Sequence, residues 1–333
     1  MSQSDTVEVK PRAAAWSNRI NGQTATTLLP WAVFVLLYVA LVLTARNYLG
    51  TAQLSILLAS ITILGVVAMG QLCVILIGGI DLSVATVVTF TNVVSASISR
   101  QENRNLLMAV VVSLAIGAAV GIVNGLIITK LGMPDMIATL ATMTIVMGIL
   151  YLYNNTHLKG GTPPALQAFM KFRFFGFMVP AAAVWIVLAV ILIIVLNKTT
   201  FGRQVYAVGL SRGASHAAGI SVVRITIILY VISGVCAAAA GVLLTGNTGA
   251  SQLNSGTNYQ LWSIAAVVLG GTSIFGGRGG YCNTIAGVGI IMVLYALLPI
   301  LGIAPAGQQV LYGLVILVML VIFRFGGKRD DSA

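Results

Sequence analysis

The sequence contains few charged residues and very few acids. Only 8% of its 333 residues are charged, and Asp and Glu together number 7, whereas soluble domains carry roughly 25% charged residues. From residue 135 to residue 329 the only acid is Asp135 itself. Whole helices therefore lack the charge that a water-soluble fold places on its surface. This deficit excludes an ordinary soluble domain and indicates an integral membrane protein.

Metal ligands, catalytic groups and nucleotide motifs are also scarce. His157 and His216 are far apart, and Cys73, Cys236 and Cys282 are scattered through apolar segments, as expected for small buried side chains rather than a disulfide framework or a zinc site. No Ser-His-Asp, HExxH or paired-carboxylate pattern can be assembled, and no Walker A sequence occurs. The sequence therefore predicts no catalytic residue, no cofactor and no metal, and any ATP-driven work requires another chain.

Long apolar runs dominate what is present, and the mean hydropathy is +1.01. A membrane-spanning helix needs about 20 mostly apolar residues, so we predict an all-α integral membrane protein with about ten transmembrane helices. The predicted spans are 28–45, 53–77, 82–99, 106–129, 136–154, 177–196, 225–245, 261–275, 281–300 and 308–324. A cleaved signal peptide is the alternative for the first run, but that run is long and ends at Arg46 without a small-x-small site.

The basic residues predict the orientation. With the N-terminus inside, twelve of the 18 Lys and Arg residues fall inside and six outside, so the positive-inside rule favours cytoplasmic termini. The six outside are Arg46, Arg100, Arg104, Lys159, Lys171 and Arg173. The predicted organisation is a cytoplasmic N-terminal arm (1–27), a single transmembrane domain (28–324) with a cytoplasmic loop at 197–224, and a cytoplasmic tail (325–333). The net charge of +11 also favours contact with anionic lipid.

Small residues recur at helical spacing in two spans. Gly117, Gly121 and Gly125 follow one another every four residues, as do Ser233, Ala237 and Gly241. Such stripes allow close backbone approach between helices, within a subunit or between subunits. The run "VVLGGTSI" (267–274) also echoes "VILIGGIDL" (74–82) and hints at an internal repeat of the kind found in transporters.

Asp81 is the most unusual polar residue, because it follows Gly78 and Gly79 inside the run "LIGGIDLSVATVV" (76–88). An intramembrane carboxylate is a functional hypothesis by default. The predicted spans place it at a helix junction, where the glycines break one helix and Asp81 or Ser83 caps the next. Contact with a translocated solute and proton coupling are the alternatives.

Two loops carry further polar patterns. The outside segment 245–262 is rich in amides and hydroxyls without formal charge, groups that hydrogen-bond sugar hydroxyls, although a plain polar turn is the alternative. The outside loop 155–176 contains Lys159, Lys171 and Arg173 and is either a solvated loop or a receptor for acidic residues of a delivery protein. Inside, 211–218 predicts a short helix that stops at Gly219, which suits docking into a soluble motor domain or a simple amphipathic surface helix.

Several stretches together resemble one family. They are "ILIGGIDLSVATVV" (75–88), "GIVNGLIITKLGMPDMIATLATMTIVMGI" (121–149), "TTFGRQVYAVG" (199–209), "AAGI" (217–220) and "IAAVVLGGTSIFGGRGG" (264–280). In this order, over nearly the whole chain, they resemble the permease subunits of bacterial ABC importers for monosaccharides, the ribose/galactose/xylose type.

The resemblance implies a subunit of an inner-membrane importer that moves a monosaccharide or related polyol. It implies three partners: a cytoplasmic ABC ATPase, a periplasmic sugar-binding protein and a second permease copy or paralogue, within membrane lipid. The candidate pathway residues are Asp81, Asn92, Asn124, Gln252, Asn254, Asn258, Tyr259 and Gln260. The candidate ATPase-coupling residues are Gly209, Ser211, Arg212, Ala214, His216, Ala217, Gly219 and Ile220.

Two departures from the family pattern stand out. Arg212 replaces a usual Glu, and "YQLWSI" (259–264) replaces a usual Tyr-Glu-Leu-Asp-Ala-Ile, so both acids are lost and Trp262 is gained. These changes point to an unusual sugar or polyol, or to a different second permease. An ion-coupled secondary transporter is the competing class, but nothing else ionisable lies in the spans to partner Asp81. A structural or signalling membrane protein leaves the resemblance unexplained.

Overall fold

The computed structural model describes the backbone of residues 12–154, 161–314 and 317, and side chains within 28–153 and 161–314. Within these ranges the regular elements are helices, apart from an isolated bridge between Phe174 and Met178. The first helices are α1 (Arg12–Thr44), α2 (Thr51–Leu76), α3 (Val84–Ser99), α4 (Leu106–Lys130), α5 (Asp135–Asn154), α6 (Pro164–Lys171) and α7 (Pro180–Lys198). They are followed by α8 (Thr200–Leu210), α9 (Arg212–Ala217), α10 (Val222–Thr248), α11 (Thr257–Leu269), α12 (Tyr281–Ile300) and α13 (305–314).

Six helices of the described part are long and apolar enough to cross a membrane: α2, α4 with its preceding turn, α5, α7, α10 and α12. The apolar part of α1 and all of α3 are shorter. Proline occupies the first position of α6 and of α7. An N–H at this position would have no acceptor within the helix, so its absence in proline costs no hydrogen bond. Gly249 ends α10 in the left-handed conformation, as glycine does at many helix ends. The all-helical membrane fold is therefore confirmed, while the count of ten spans stays a prediction.

Most predicted spans match a helix to within a few residues, and 281–300 matches α12. Three differences stand out. Helix α1 extends back to Arg12, into the predicted polar arm, which contains helix-favouring alanines and no proline between Pro11 and Pro30. The short helices α6 and α8 lie in segments that we predicted as loops. The predicted span 261–275 is instead α11, which ends at Leu269 before the Gly-Gly pair. Residues 1–11, 155–160 with His157 and Lys159, 315–316 and 318–333 lie outside the described residues, and with them the end of the predicted span 308–324 and the predicted tail 325–333.

Helix α10 is the centre of the bundle and packs against α4 through glycine. A Cβ atom at Gly121 would overlap the carbonyl oxygen of Tyr230, and one at Gly125 would lie 2.8 Å from Ile227 Cα. Gly117 and Gly234 face each other in the same contact. The stripe on α4 thus brings two backbones together inside one subunit.

The stripe on α10 packs against α2 and α3. A Cβ atom at Gly70 of α2 would lie 2.7 Å from Ser233 Cα, and one at Gly241 would lie 2.5 Å from the Val88 carbonyl oxygen of α3. Both stripes therefore serve contacts within the chain, a choice that the sequence left open. Helix α10 holds α2, α3 and α4 in register through backbone proximity rather than through long side chains.

The end of α2 and the residues that follow it lie beside the segment 275–277 at one end of the bundle. The Gly277 N–H donates to the Leu76 carbonyl over 2.9 Å, and a Cβ atom at Gly276 would lie 3.0 Å from the Gly209 carbonyl oxygen. We call Gly78, Gly209, Gly276 and Gly277 the glycine junction. Helices α2 and α11 each end shortly before the Gly-Gly pair of the sequence echo, 78–79 and 270–271, so the echo marks the ends of two helices.

Candidate functional site

The chain between α2 and α3 is not helical, and its glycines allow this path. Gly78 has a φ of +75°, a left-handed conformation that favours glycine. A Cβ atom at Gly79 would lie 2.8 Å from both Asp135 Oδ2 and Tyr230 Oη. The backbone at Gly79 therefore lies close to both side chains, and α3 begins only at Val84.

Asp81 lies in this break and is buried, with 1% of its surface exposed. Its Oδ1 accepts hydrogen bonds from the Ser83 N–H (3.0 Å) and the Ser83 hydroxyl (2.6 Å), and its Oδ2 accepts one from the Ser233 hydroxyl (2.7 Å). Asp81 forms no ion pair with any residue that the structure describes. The carboxylate thus holds the start of α3 against the middle of α10.

Asn124 of α4 joins the same cluster. Its Nδ2 donates to the Ser83 hydroxyl over 2.9 Å, while its buried Oδ1 has no partner among the residues that the structure describes. The same part of the chain offers no partner to the buried Tyr230 hydroxyl, next to Gly79. Buried polar atoms without hydrogen-bond partners are costly. Asn124 Oδ1 and the Tyr230 hydroxyl are therefore available to hydrogen-bond with water or a passing solute. Ser83 was predicted only as an alternative helix cap, and Ser233 only as a small residue in a stripe. Tyr230 was absent from our prediction.

Asn92 pins a second non-helical segment, 249–256, to α3. Its Nδ2 donates to Thr245 Oγ1 (2.8 Å), and its Oδ1 accepts from the Gln252 N–H (3.0 Å). Further along, the Gly256 N–H donates to Thr89 Oγ1 (3.0 Å). The chain therefore leaves α10 near the level of Asn92 and returns along α3 toward the glycine junction before α11 begins.

Because the segment 249–256 runs back along α3, helix α11 starts within the bundle rather than at its end. Gly256 lies beside Ala85 and Thr89, while Gly241 lies beside Val88 and Thr91. Gly241 is seven residues before the end of α10, about 10 Å at 1.5 Å per residue. Helices of the length of α3 and α11 extend roughly 20–24 Å, less than the ~30 Å hydrocarbon core. Each is thus a short helix preceded by irregular backbone, which membranes tolerate only where protein or water covers it.

The structure divides the predicted pathway residues into two groups. Gln252, Asn254 and Asn258 are exposed and Gln260 is partly exposed, so their amides are free to meet a solute. Asp81, Asn92, Asn124 and Tyr259 are buried. For these four, a direct solute contact requires the bundle to open.

Trp262, one of the departures from the family pattern, packs inside the protein. Its ring contacts Tyr259 (5.7 Å between centroids), Tyr295 (5.1 Å) and Tyr312 (5.8 Å), each edge to face. Such pairs contribute about 0.5–1.5 kcal/mol each beyond burial. The aromatic side chain therefore fixes α11 to α12 and α13.

The predicted coupling segment forms α9 and projects from the bundle at the glycine junction. Ser211 caps it by accepting from the Ala214 N–H (3.2 Å), and Gly219 follows it with a φ of +80°. Arg212, Ala214, His216 and Ala217 are exposed and Ile220 is partly exposed. We also failed to predict α8, in which Tyr206 donates to the Gly279 carbonyl (2.8 Å). Burial raises the pKa of Tyr206, which keeps the phenol a donor.

Arg212 connects this segment to the broken helix. Its Nη2 lies 3.3 Å from Asp135 Oδ2 at the start of α5 and 3.5 Å from the Ile77 carbonyl oxygen at the end of α2. Asp135 in turn lies against Gly79. A short series of contacts therefore links α9 to the segment that carries Asp81.

Comparisons with known proteins agree with this architecture. The family model described as the branched-chain amino acid transport system / permease component matches residues 53–322. A ribose import permease of Bacillus subtilis is 39% identical over 295 residues, covering 88% of this chain and 90% of its own. An L-arabinose transport system permease of Escherichia coli is 34% identical (90% and 91% covered), and a fructose import permease of Rhizobium meliloti is 32% identical (88% and 84%). No solved structure matches the chain.

The match extends over the break at 77–83, the coupling segment and the glycine junction, and each relative is covered over most of its length. The family resemblance predicted from the sequence is confirmed, and the ion-coupled alternative loses its support. The chain therefore belongs to this permease family and is a multi-pass membrane permease of the ABC importer class.

Proposed function

We propose that this chain forms the membrane pathway of an ATP-driven importer for a monosaccharide or a related polyol in the bacterial inner membrane. The observation that carries the choice of solute is the group of exposed, uncharged amides at 252–258, on the irregular backbone beside α3 and the first turn of α11. Amide groups donate and accept hydrogen bonds without demanding a charged solute. Relatives that carry ribose, arabinose and fructose in their names support the same class.

The proposed assembly contains a second permease, a cytoplasmic ATPase and a periplasmic sugar-binding protein. Helix α9 is the proposed contact with the ATPase, because it is exposed, projects at the glycine junction and is linked to the break by Arg212. ATP binding drives the change of access only if the ATPase prefers one of the two permease states. The contacts from Arg212 to Asp135 and Ile77 make the position of α9 sensitive to the position of the break.

Uptake measurements in proteoliposomes test the proposal. With a cognate ABC ATPase and a sugar-binding protein reconstituted alongside the permease, ATP inside the vesicles should drive uptake of a labelled pentose, hexose or polyol. Vesicles containing the permease alone should show no uptake under a proton gradient. Robust gradient-driven uptake without an ATPase would overturn the importer assignment.

The amides are tested in the same system. Asn258→Ala is expected to raise the KM for the transported solute by about two- to tenfold, since one lost hydrogen bond is worth roughly 0.5–1.5 kcal/mol. The matched control is Asn47→Ala, which removes an exposed amide far from α11. An unchanged KM for Asn258→Ala, Asn254→Ala and Gln252→Ala together would remove these residues from the pathway.

A further inference from the structure

An apolar groove of about 370 Å³ opens on the side of the bundle between α2, α4, α6, α7 and α10. Its lining residues include Leu106 and Val110 of α4, Phe169 of α6, Ala181 and Trp185 of α7, and Leu243 of α10. The remaining lining residues are all aliphatic. Trp185 Nε1 donates to Tyr281 Oη over 2.8 Å, so this polar atom points away from the groove. A site without polar partners does not hold ordered water.

The groove lies in the half of the bundle away from the glycine junction. Leu106 and Val110 belong to the first turns of α4, Ala181 and Val184 to the first turns of α7, and Leu243 to the last turns of α10. Helices α4 and α7 begin, and α10 ends, on the side of the bundle opposite the junction. The groove is therefore at the depth of the acyl chains in one leaflet, which is the outer leaflet in the proposed orientation.

A basic and aromatic segment adjoins the mouth of the groove. Helix α6 contributes Phe169 to the lining and ends two residues later at Lys171, which is followed by Phe172, Arg173, Phe174 and Phe175. Lys171 and Arg173 are exposed, and Phe175 is 91% exposed. Exposed aromatic rings beside basic groups are typical of the membrane–water interface, whereas a water-facing surface that receives a soluble protein has no need of them.

We propose that this groove binds an acyl chain of one phospholipid from the outer leaflet, with its phosphate on Lys171 and Arg173. The acyl chain covers the apolar lining of the groove, and the two cations complement the charge of the phosphate. An anionic headgroup is preferred, because each basic residue near a membrane surface attracts anionic lipid. The lipid fills the space between α4 and α7 and supports α6 against α10.

Native mass spectrometry of the full chain tests this proposal, after solubilisation from vesicles that contain phosphatidylethanolamine and phosphatidylglycerol. One phospholipid per chain should remain bound at detergent concentrations that remove the annular lipids. Ala181→Phe fills the groove and should abolish retention. Ala165→Trp acts at the exposed rim, so it tests the same point if the buried replacement fails to fold. Val190→Phe, on the exposed face of α7, is the matched control and should retain the lipid.

The headgroup contact is tested by the double variant Lys171→Gln, Arg173→Gln. Its preference for phosphatidylglycerol should fall by roughly 10- to 30-fold, while Arg46→Gln, which removes another exposed cation, should leave the preference unchanged. Three results would overturn the proposal: no retained phospholipid, equal retention by the filled and control variants, or loss of dimers on filling, which would assign the groove to a second copy. Impaired docking of the sugar-binding protein with unchanged lipid preference would reject the phosphate site.

Discussion

At the scale of single residues, Asp81 shows how a carboxylate is accommodated in a membrane protein without a counter-ion. Its two oxygens accept three hydrogen bonds, one from a backbone N–H and two from serine hydroxyls. Helix α3 begins at Val84, three residues after Asp81, and the positive end of a helix dipole stabilises a carboxylate. The bond from the Ser83 N–H lies just before the helix, and the N-cap residue Ser83 forms no side-chain cap hydrogen bond. Asp81 therefore fixes the helix start, while capping, solute contact and proton coupling stay predictions.

The substitution Asp81→Asn separates these roles. The amide oxygen still accepts from the Ser83 N–H, and the Ser233 hydroxyl can rotate to accept from the amide nitrogen. We therefore expect ATP-driven uptake within a factor of about three of the wild type, since the hydrogen-bond count is preserved. Asp81→Leu, which removes the acceptors, should lower both thermal stability and uptake. Complete loss of uptake in a stably folded Asp81→Asn variant would show that the charge itself is required.

At the scale of elements, the contact between α4 and α10 depends on the absence of side chains. Gly121→Ala introduces a Cβ atom against the Tyr230 carbonyl, and overpacking typically costs 1–3 kcal/mol. We expect a lower melting temperature in detergent, although alanine favours helix by about 1 kcal/mol over glycine. Gly148→Ala on α5 is the control, since nothing lies within 4 Å of its added Cβ atom. Equal melting temperatures for the two variants would contradict the close contact.

Helix α9 gives a second prediction at this scale. Arg212→Glu places two carboxylates together at Asp135 and should reduce both ATPase association and uptake, whereas the exchange Arg212→Asp, Asp135→Arg should restore part of the coupling. The measurement is co-purification of the ATPase, together with ATP hydrolysis stimulated by the loaded binding protein. If Arg212→Glu leaves assembly and transport unaltered, α9 is not the coupling element. If assembly is lost and the exchange restores nothing, Arg212 contacts the ATPase directly.

At the scale of the whole molecule, the orientation can be tested with a native cysteine. Cys282 is exposed at the start of α12, near the glycine junction, while Cys73 is buried. In the proposed orientation that end is cytoplasmic. A membrane-impermeant maleimide should therefore label inside-out vesicles and leave right-side-out vesicles unlabelled, and Cys282→Ser should remove the labelling. Labelling of Cys282 in right-side-out vesicles would reverse the assigned topology.

The sequence predicted the helical membrane fold and the family because both depend on local or linear information. Apolar runs of sufficient length define spans, and the break at Gly78 and Gly79 was visible as a pair of glycines before Asp81. The end of α9 was predicted from Gly219 for the same reason, since a left-handed residue at a helix end is a local requirement. These features need no knowledge of what lies across the bundle.

Contacts between distant parts of the chain were decided only by the tertiary structure. The sequence suggested a span at 261–275. The hydrogen bonds from Asn92 to Thr245 and Gln252 instead hold the segment before α11 inside the bundle, and α11 itself ends at Leu269. Asp81 and Ser233, Arg212 and Asp135, and Trp262 and Tyr295 are all pairs of residues far apart in sequence. Hydropathy shows whether a segment prefers lipid to water. The depth at which a helix starts depends instead on which polar groups form hydrogen bonds with each other, and these pairs form only when the helices pack.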